Sequence, residues 1–445
     1  GPRAPEPRPL APSSARVHAF LETTPMLPRW LRGLQVAACC ALTPALAPAL
    51  QLQGKVWIGD GVKSHGTYDG ATEAPFVQAL TGHPGWQIEV LPGEYTFTNS
   101  VDVTASGVRI YGPRDAVLAR ETGLTPGPLF SVEASAADFA LDGLTLEERR
   151  SDASGLVRIL APDARISGCA FRSTAVEATG TGSLLAFGDG EEPVEGGLVL
   201  GNSFLFHPAD VHPVGIQAFG CRGLTVLANE FRPFEPAQGA QTVSAAIALE
   251  DSPDAAIRAN LFTALASVGE DGALVSCASG TEGEGGGSVL SANVFGEVSG
   301  AAIVLLDGVD ACTVSGNVFG RESSTDEVVL VAGGAGTAVT GNQFHGAGSN
   351  VGTAVRCLGT SVSSIGANTF LDCAGPQVDL VAVSGANVFG NRFRAQDLLI
   401  TVPAIVVDVN SAAIVIGANA ARGASFSSVY TAPSGIVTPF ENLLP

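Results

Sequence analysis

Three acidic residues near the middle of the chain have the type and spacing that carboxylate chemistry requires. Glu250 and Asp307 each lie ten residues before an asparagine of a recurring motif, and Glu284 lies one residue from the equivalent position between them. If this spacing keeps successive repeats in register, Glu250 and Asp307 would lie on one turn, about 9.6 Å apart. An inverting glycosidase needs about 6.5–9.5 Å between its acid and its base. Glu250, Asp307 and Glu284 are therefore the predicted catalytic residues.

The same turn could hold a metal ion instead of reacting groups. Asp251 and Asp310 lie close in sequence to Glu250 and Asp307, and a column of carboxylates supplies the oxygen ligands that Ca²⁺ prefers. The predicted metal ligands are Glu250, Asp251, Asp307 and Asp310, with Ca²⁺ as the metal; no cofactor is required. The remaining alternative is that these residues are solvated turn acids in an acidic protein.

Lyase chemistry would need a cation beside the carboxylate of the substrate. The chain contains few lysines, and Lys55 and Lys63 both precede the repeats, which excludes a lysine-based site within them. Four arginines are candidates for this role by residue type alone: Arg222, Arg258, Arg356 and Arg392.

Aromatic rings near the longer repeats could contact a sugar. Phe206, Phe219 and Phe234 fall out of phase with the recurring motif and lie near insertions. An exposed ring offers a large apolar surface to a ligand, whereas a buried ring contributes to the core. Exposure at the insertions and packing in the core are the two alternatives for these three residues.

The recurring motif that positions these groups is a small residue followed by Asn-x-Phe. It returns about every 28 residues, which indicates a solenoid, a propeller or an array. An earlier copy has Cys169 in the asparagine position, and a degenerate last copy has Ala418-Asn419. The full copies begin at Gly201, Ala228, Ala259, Ala292, Gly316, Gly341, Ala367 and Gly390.

The residues between the motifs predict short strands. Runs such as Leu224–Leu227 and Ile303–Leu306 are alternating or β-branched, and glycine-rich turns separate them. Asn tolerates a left-handed turn and can bond to the backbone, so stacked copies predict an asparagine ladder. The Phe two residues later points to the same side, which predicts an interior column of rings. Repeats of this kind must stack to bury their apolar faces.

This pattern resembles the right-handed parallel β-helix of the pectate-lyase-like superfamily, which includes phage tailspikes and secreted β-helix repeat proteins. Gly59-Asp60-Gly61-Val62 and the later Leu91-Pro92-Gly93-Glu94-Tyr95 are similar to the opening coil of those proteins. The resemblance implies an all-β, single-stranded parallel β-helix of roughly twelve coils, with an Asn ladder and a Phe stack. A short N-terminal capping helix is expected at 74–80, after Thr72 and with Pro75 in its first turn.

The predicted organisation has three parts. Residues 1–53 are a Pro- and Arg-rich segment whose apolar stretch, 26–50, is either a signal peptide or an assembly anchor. Residues 54–425 form the β-helix, and 426–445 form a C-terminal cap or tail. Pro44 and Pro48 interrupt the apolar stretch, so a membrane span is not predicted.

Charge and resemblance together bound the function. A net charge of −20 and a pI of about 4.6 exclude nucleic acid as a partner and disfavour an anionic membrane. The resemblance implies an extracellular, secreted or virion-surface protein that acts as a structural rod, contacts a glycan, or does both, and that forms a homotrimer or a larger assembly. Two alternatives remain: a polysaccharide-degrading hydrolase or lyase with the turn carboxylates as its site, and a non-catalytic assembly subunit docked through residues 1–53.

Overall fold

The computed structural model of the chain describes residues 54–121, 127–149, 155–173, 182–207, 214–234, 241–267, 272–279, 286–306, 308–320, 327–346, 352–361, 363–373, 375–395, 402–422 and 429–439. The chain divides into two units, Gly1–Gln51 and Leu52–Pro445, and all described residues belong to the second. The N-terminal segment predicted for 1–53 lies outside the described residues. Docking through that segment and assembly into a trimer therefore stay predictions.

The described residues form the parallel β-helix that the resemblance implied, and it has three long sheets. The chain runs from sheet A to sheet B, then to sheet C and back to sheet A one coil further on. All strand pairs between neighbouring coils in these sheets are parallel, such as Val226 with Ile257. A parallel sheet of this kind keeps identical positions of successive repeats one above the other.

Sheet A contains 16 strands in the described part of the chain and sheets B and C contain 13 each. The strands of sheet A are Tyr68–Asp69, Lys55–Gly59, Gln87–Val90, Arg109–Tyr111, Ala140–Asp142, Arg165–Ser167, Leu198–Leu200, Thr225–Leu227, Ala256–Arg258, Val289–Ser291, Thr313–Ser315, Ala338–Thr340, Ser364–Gly366, Asn387–Phe389, Ile414–Gly417 and Val437–Pro439. The strands of sheet B are Gly93–Phe97, Ala116–Arg120, Thr145–Glu148, Ala170–Ser173, Ser203–Phe206, Glu230–Pro233, Leu261–Thr263, Val294–Gly296, Val318–Phe319, Gln343–His345, Thr369–Leu371, Arg392–Arg394 and Ala420–Arg422. The strands of sheet C are Val101–Val103, Phe130–Val132, Val157–Ile159, Ser183–Phe187, Val214–Phe219, Ala245–Glu250, Ala273–Ala278, Ala301–Leu305, Val329–Ala332, Val355–Leu358, Val378–Val381, Ile405–Val407 and Tyr430–Thr431. Two small sheets add Val194–Glu195 with Cys221–Arg222, and Gln241–Val243 with Leu265–Ser267.

A column of phenylalanine rings fills the interior beside sheet B, and it confirms the predicted stack. Neighbouring rings lie nearly parallel; the closest pair, Phe262 and Phe295, has centroids 4.6 Å apart and an interplanar angle of 4°. Each ring is almost completely buried, and burying an aromatic side chain is a large apolar gain. The members are Phe171, Phe204, Phe231, Phe262, Phe295, Phe319, Phe344, Phe370 and Phe393.

A buried asparagine ladder forms the corner between sheets A and B. Asn202 Nδ2 donates to Asn229 Oδ1 in the next coil at 3.0 Å, and the backbone N–H of Asn202 donates to the same oxygen at 2.9 Å. The pattern repeats to Asn419, and the Cys169 N–H donates to Asn202 Oδ1 at the other end. Both outlying copies of the motif therefore belong to the ladder.

The left-handed residue of this corner is the small residue before each asparagine, and not the asparagine itself. Ala228 has φ 55° and Gly201 has φ 64°, and the ladder asparagines are not among the described residues with positive φ. The expectation that Asn adopts the left-handed turn was therefore wrong. Its side-chain amide is needed for the ladder, and a Gly or Ala fits the turn because little or no side chain has to be accommodated.

The opening coil is closed by the helix α1, Ala74–Gly82, which confirms the predicted capping helix. Glu73 is its N-cap, and the α1 residue Phe76 packs against Phe97 with centroids 5.0 Å apart. The two opening motifs contact each other: Gly93 lies so close to the Asp60 carboxylate that a Cβ on residue 93 would collide with it. The Tyr95 hydroxyl donates to the backbone oxygen of Leu91.

The far end and the cysteines complete the fold. Strands Tyr430–Thr431 and Val437–Pro439 extend sheets C and A past the boundary expected at residue 425. The described cysteines are free and buried, and a buried free Cys packs as a small apolar residue. Among the described residues, no helix is long and apolar enough to cross a membrane.

Candidate functional site: an acidic groove between sheets C and A

An open groove lies on the turns that lead from sheet C to sheet A, on the coils with the longest insertions. It is lined by seven carboxylates and one guanidinium, together with one aromatic ring. We call this surface the acidic groove; its charged and aromatic residues are Asp189, Glu191, Glu192, Phe219, Arg222, Glu250, Asp251, Asp254 and Asp310. Three of the predicted site residues, Glu250, Asp251 and Asp310, are therefore together in one surface feature.

The local backbone explains why acids and glycines build these turns. Asp251 and Asp254 have φ of 47° and 58°, a conformation in which Asp is tolerated better than most residues because its short side chain can bond locally. Gly287, with φ 77°, lies against the Asp254 carboxylate, where a Cβ would collide. The turn itself therefore accounts for Gly287 and favours Asp at positions 251 and 254, which lowers the number of acids that need a functional explanation.

Three of the carboxylates take part in the structure of the turns. Asp251 accepts a hydrogen bond from the Ser279 hydroxyl at 2.8 Å, and Asp310 accepts one from the backbone N–H of Ala335 at 2.6 Å. Asp189 accepts one from the N–H of Glu191 at 3.1 Å. These bonds hold the groove in shape and occupy part of the acceptor capacity of each carboxylate.

Glu250 is different, because its side chain is exposed and forms no hydrogen bond or ion pair with any described residue. Its backbone is fixed at the end of strand Ala245–Glu250, where its carbonyl accepts hydrogen bonds from Gly220 N–H and the Ser252 hydroxyl. A fixed backbone that carries an unengaged carboxylate leaves the full acceptor capacity of the group to a ligand. Glu250 therefore presents to a ligand an exposed carboxylate whose backbone is held in a strand.

The register of sheet C corrects the spacing assumed from the sequence. Glu250 is paired with Phe219 in one neighbouring coil and with Ala278 in the other, and not with residue 283. Counting back from the ladder asparagine fails here because the segment between strand Ala273–Ala278 and strand Val289–Ser291 is longer than its counterpart in the coil before. An acidic column with one carboxylate per coil does not follow from that count.

The other predicted site residues remain to be tested. Glu284 and Asp307 lie outside the described residues. In the described part of the chain, no three His, Cys, Asp or Glu side chains form a group that could hold a metal ion. Because Asp307 was one of the four expected ligands, Ca²⁺ binding stays a prediction.

The three phenylalanines near the insertions have different environments. Phe206 is fully buried and Phe219 is half-buried in the wall of the acidic groove. Phe234 is also half-buried, with the Arg172 guanidinium 5.6 Å from its ring centroid, a cation–π contact. Only Phe219 is therefore available to a ligand in the groove.

A second cluster of ionisable groups, on the outer face of sheet C, was missed by sequence reasoning. The Arg356 guanidinium contacts Glu327 and lies 3.4 Å from the Asp379 carboxylate. Burial raises the pKa of Asp379; Arg356 opposes this shift, and Glu327 and Asp408 add to it. Arg356 and Asp379 are opposite each other in paired strands, so the only usable signal was the register of sheet C.

The comparisons with known proteins establish the fold. The chain is similar to the bacteriophage CBA120 tailspike protein 3, with a TM-score of 0.54, 14% identity, and coverage of 83% of this chain and 58% of that one. It is also similar to the Dettilon tailspike protein, with a TM-score of 0.53, 12% identity, and coverage of 80% and 64%. A DFA-IIIase from Arthrobacter chlorophenolicus A6, solved without its lid, aligns with a TM-score of 0.47 and 14% identity over 87% of this chain and 98% of that one.

The two tailspike similarities support the parallel β-helix fold of the chain. The chain spans about 58% and 64% of the length of the two tailspike structures. No protein-family model matches the sequence. The comparison with curated proteins also found no match. At such low identity the fold is shared and the function has to be argued from the site.

Proposed function

We propose that the protein is an extracellular or virion-surface β-helix that binds a glycan in the acidic groove, in the manner of a tailspike-like rod. The observation that supports this most directly is the unengaged Glu250 carboxylate on a rigid strand end, in an open groove with other exposed acids and one aromatic wall. Sites built on strands are held more firmly than sites on loops. The fold that the chain shares with two phage tailspikes is consistent with this role.

The chemistry of the groove favours a neutral, hydroxyl-rich chain. Carboxylates are acceptors only, and they bind hydroxyl donors through charge-assisted hydrogen bonds. The groove has seven carboxylates and a single guanidinium, that of Arg222, so it repels a polyanion. Phe219 offers an apolar edge that can contact the carbon face of a sugar ring. The neighbouring carboxylates would accept hydrogen bonds from the hydroxyls of the same sugar.

The test is retention of the whole protein on a panel of immobilised neutral and acidic polysaccharides. We expect retention on at least one neutral polymer, and a loss of affinity of about tenfold in Glu250→Gln, as for a charge-assisted hydrogen bond. Asp102→Asn is the matched control, because Asp102 is an exposed carboxylate on the first strand of sheet C and does not line the groove. No retention on any neutral polymer, or equal retention of Glu250→Gln, would contradict the proposal.

The second candidate is a polysaccharide-degrading enzyme, favoured by the same exposed Glu250 beside other carboxylates. Hydrolysis needs a general acid and a base or nucleophile on the two sides of the scissile bond, and Glu250 with Asp307 or Glu284 would supply them. The measurement is loss of chain length across the panel, with and without Ca²⁺. Shortening that disappears in Glu250→Gln or Asp307→Asn identifies an enzyme; retention without shortening identifies a binding protein.

A further inference from the structure

Three exposed arginines surround a small hollow on the outer face of sheet B, near its last described strand. Arg392 and Arg394 project from one strand on either side of the inward-facing Phe393, and Arg422 projects from the next. We call this the arginine hollow; it is lined by Arg392, Phe393, Arg394, Ala420 and Arg422. Arg394 is paired with Arg422, and Arg392 with Ala420. Arginines therefore occupy three of these four outward positions, and Ala420 occupies the fourth.

The arrangement of like charges is unfavourable without a ligand. Like charges directly opposite in paired strands destabilise a sheet, and Arg394 and Arg422 stand one strand spacing apart, about 4.8 Å. None of the three arginines forms an ion pair with a described residue. Four other described arginines, but not exposed single ones such as Arg258, pair with carboxylates: Arg109, Arg149, Arg232 and Arg356. Three arginines without a carboxylate partner among the described residues thus lie side by side in a protein whose net charge is −20.

We infer that the arginine hollow binds a carboxylate or sulfate group carried by an acidic sugar. The guanidinium fork matches the planar or tetrahedral oxygens of such a group and binds them bidentately. Ala420 has only a methyl group at the fourth outward position, which leaves space for one anion to receive hydrogen bonds from all three arginines. This surface is separate from the acidic groove, and the inference does not depend on glycan binding there.

The neighbouring residues favour a sugar over other anions. Gln343, Thr369 and Arg392 occupy the same outward position on three successive strands of sheet B. The first two are polar and uncharged, and suit the hydroxyls of a sugar chain that runs along the sheet. An acidic peptide would need a pocket for an aromatic or aliphatic anchor, whereas the ring of the lining residue Phe393 is buried in the interior and Ala420 offers only a methyl group. Three arginines are too few to hold an anionic membrane, which takes about four to eight cations.

The experiment is calorimetric titration of the full chain with an oligouronate at low salt. Its uncharged methyl ester, inorganic sulfate, inorganic phosphate and a polyglutamate peptide are the comparison ligands. The variants are Arg394→Gln combined with Arg422→Gln, and the same pair changed to Lys, which keeps the charge and removes the fork. Arg258→Gln is the control, because Arg258 is exposed on sheet A and forms no ion pair with a described residue.

We expect the oligouronate to bind the wild type, and more weakly as salt is added. The double Gln variant should lose about tenfold or more in affinity, the double Lys variant less, and Arg258→Gln about nothing. Glu250→Gln should leave this binding unchanged, which separates this site from the acidic groove. Thermal unfolding should show no loss of stability in the double Gln variant, because a repulsion has been removed.

Three outcomes would overturn the inference. The first is equal binding of the methyl ester, or of the oligouronate by the double Gln variant. The second is competition by inorganic sulfate or phosphate at the same concentration as the oligouronate, which would indicate a site for small anions. The third is equal binding of polyglutamate, which would indicate a protein partner.

Discussion

The corner between sheets A and B and the turn between sheets C and A lie in the same coils, and they behave in opposite ways. At the corner, each described coil from Asn202 to Asn419 repeats the same buried contacts, with amide hydrogen bonds of 3.0–3.1 Å. At the turn, successive coils differ in length and in side chains, and the acidic groove lies there. Uniformity marks the part of a repeat that every coil needs, and variation marks the part that is free to carry a site.

The physical reason is burial. A polar group in the interior must have its hydrogen-bond partners, because an unsatisfied buried group costs about 1–3 kcal/mol. A ladder asparagine can therefore change only if its neighbours change with it. A turn side chain in solvent has water as its alternative partner, so its replacement costs little.

The largest loss of stability is expected for Phe295→Ala, which tests the buried side of this comparison. Its ring is stacked between Phe262 at 4.6 Å and Phe319 at 5.0 Å. We expect a loss of about 3–5 kcal/mol in the free energy of unfolding, as for buried Phe→Ala changes in general. Urea unfolding measures this, with Phe389→Ala as the control, since Phe389 is 51% exposed. Equal effects of the two changes would mean that the stack is not the basis of the fold's stability.

A somewhat smaller loss is expected for Asn317→Ala. The change removes the donor to Leu290 O at 2.9 Å and the acceptor for the buried N–H of Asn293 at 2.9 Å. Leaving such groups unsatisfied should cost about 2–4 kcal/mol. Asn387→Ala, on the exposed face of sheet A, is the matched control and should change stability by less than about 0.5 kcal/mol. The comparison fails if the ladder change is as mild as its control.

A pH test separates a structural turn carboxylate from those of the groove. Burial acts to raise the pKa of Asp60, but hydrogen bonds from the backbone N–H groups of Ser64, Val62 and Lys63 outweigh it and the pKa is lowered. A lowered pKa stabilises the fold above the unfolded-state pKa, about 4, and this is lost as the pH falls. In Asp60→Asn, the difference in unfolding midpoint between neutral and acidic pH should shrink. An unchanged difference would assign acid sensitivity to other carboxylates.

The smallest effect on stability should come from the groove itself. Glu250→Gln replaces an exposed side chain without a described partner, so the free energy of unfolding should change by less than about 0.5 kcal/mol. The same variant is expected to lose glycan affinity. A large loss of stability would show that Glu250 has a structural role. The free energy of unfolding and the glycan affinity can be measured on one preparation.

The same contrast explains what could be predicted from the sequence. The ladder and the stack recur with identical residue types, so the Asn-x-Phe copies predicted the coils, their short strands and the outlying copies of the motif at Cys169 and Asn419. The tolerance of Asn for a left-handed turn suggested the wrong residue, since Gly201 and Ala228 adopt that conformation. Nothing in the sequence indicates that an Ala at this position adopts a positive φ.

The site was predicted less well because it depends on register across insertions. Glu250 lies in one groove with Asp251 and Asp310, but its neighbour in the next coil is Ala278 and not residue 283, the position beside which Glu284 was expected. The arginine hollow was missed for a similar reason. Arg394 and Arg422 are 28 residues apart in the sequence, and only the pairing of their strands reveals that they are opposite each other.

The asparagine ladder also determines how such a protein can change in length. Each coil presents the same amide and the same ring to the coil before it as to the coil after it. A whole repeat, such as the one from Gly316 to Thr340, could therefore be duplicated or removed with both new neighbours matching at the junction. The coils are interchangeable modules in this sense. Gene duplication could lengthen the β-helix while each new coil makes the same interior contacts as the existing ones.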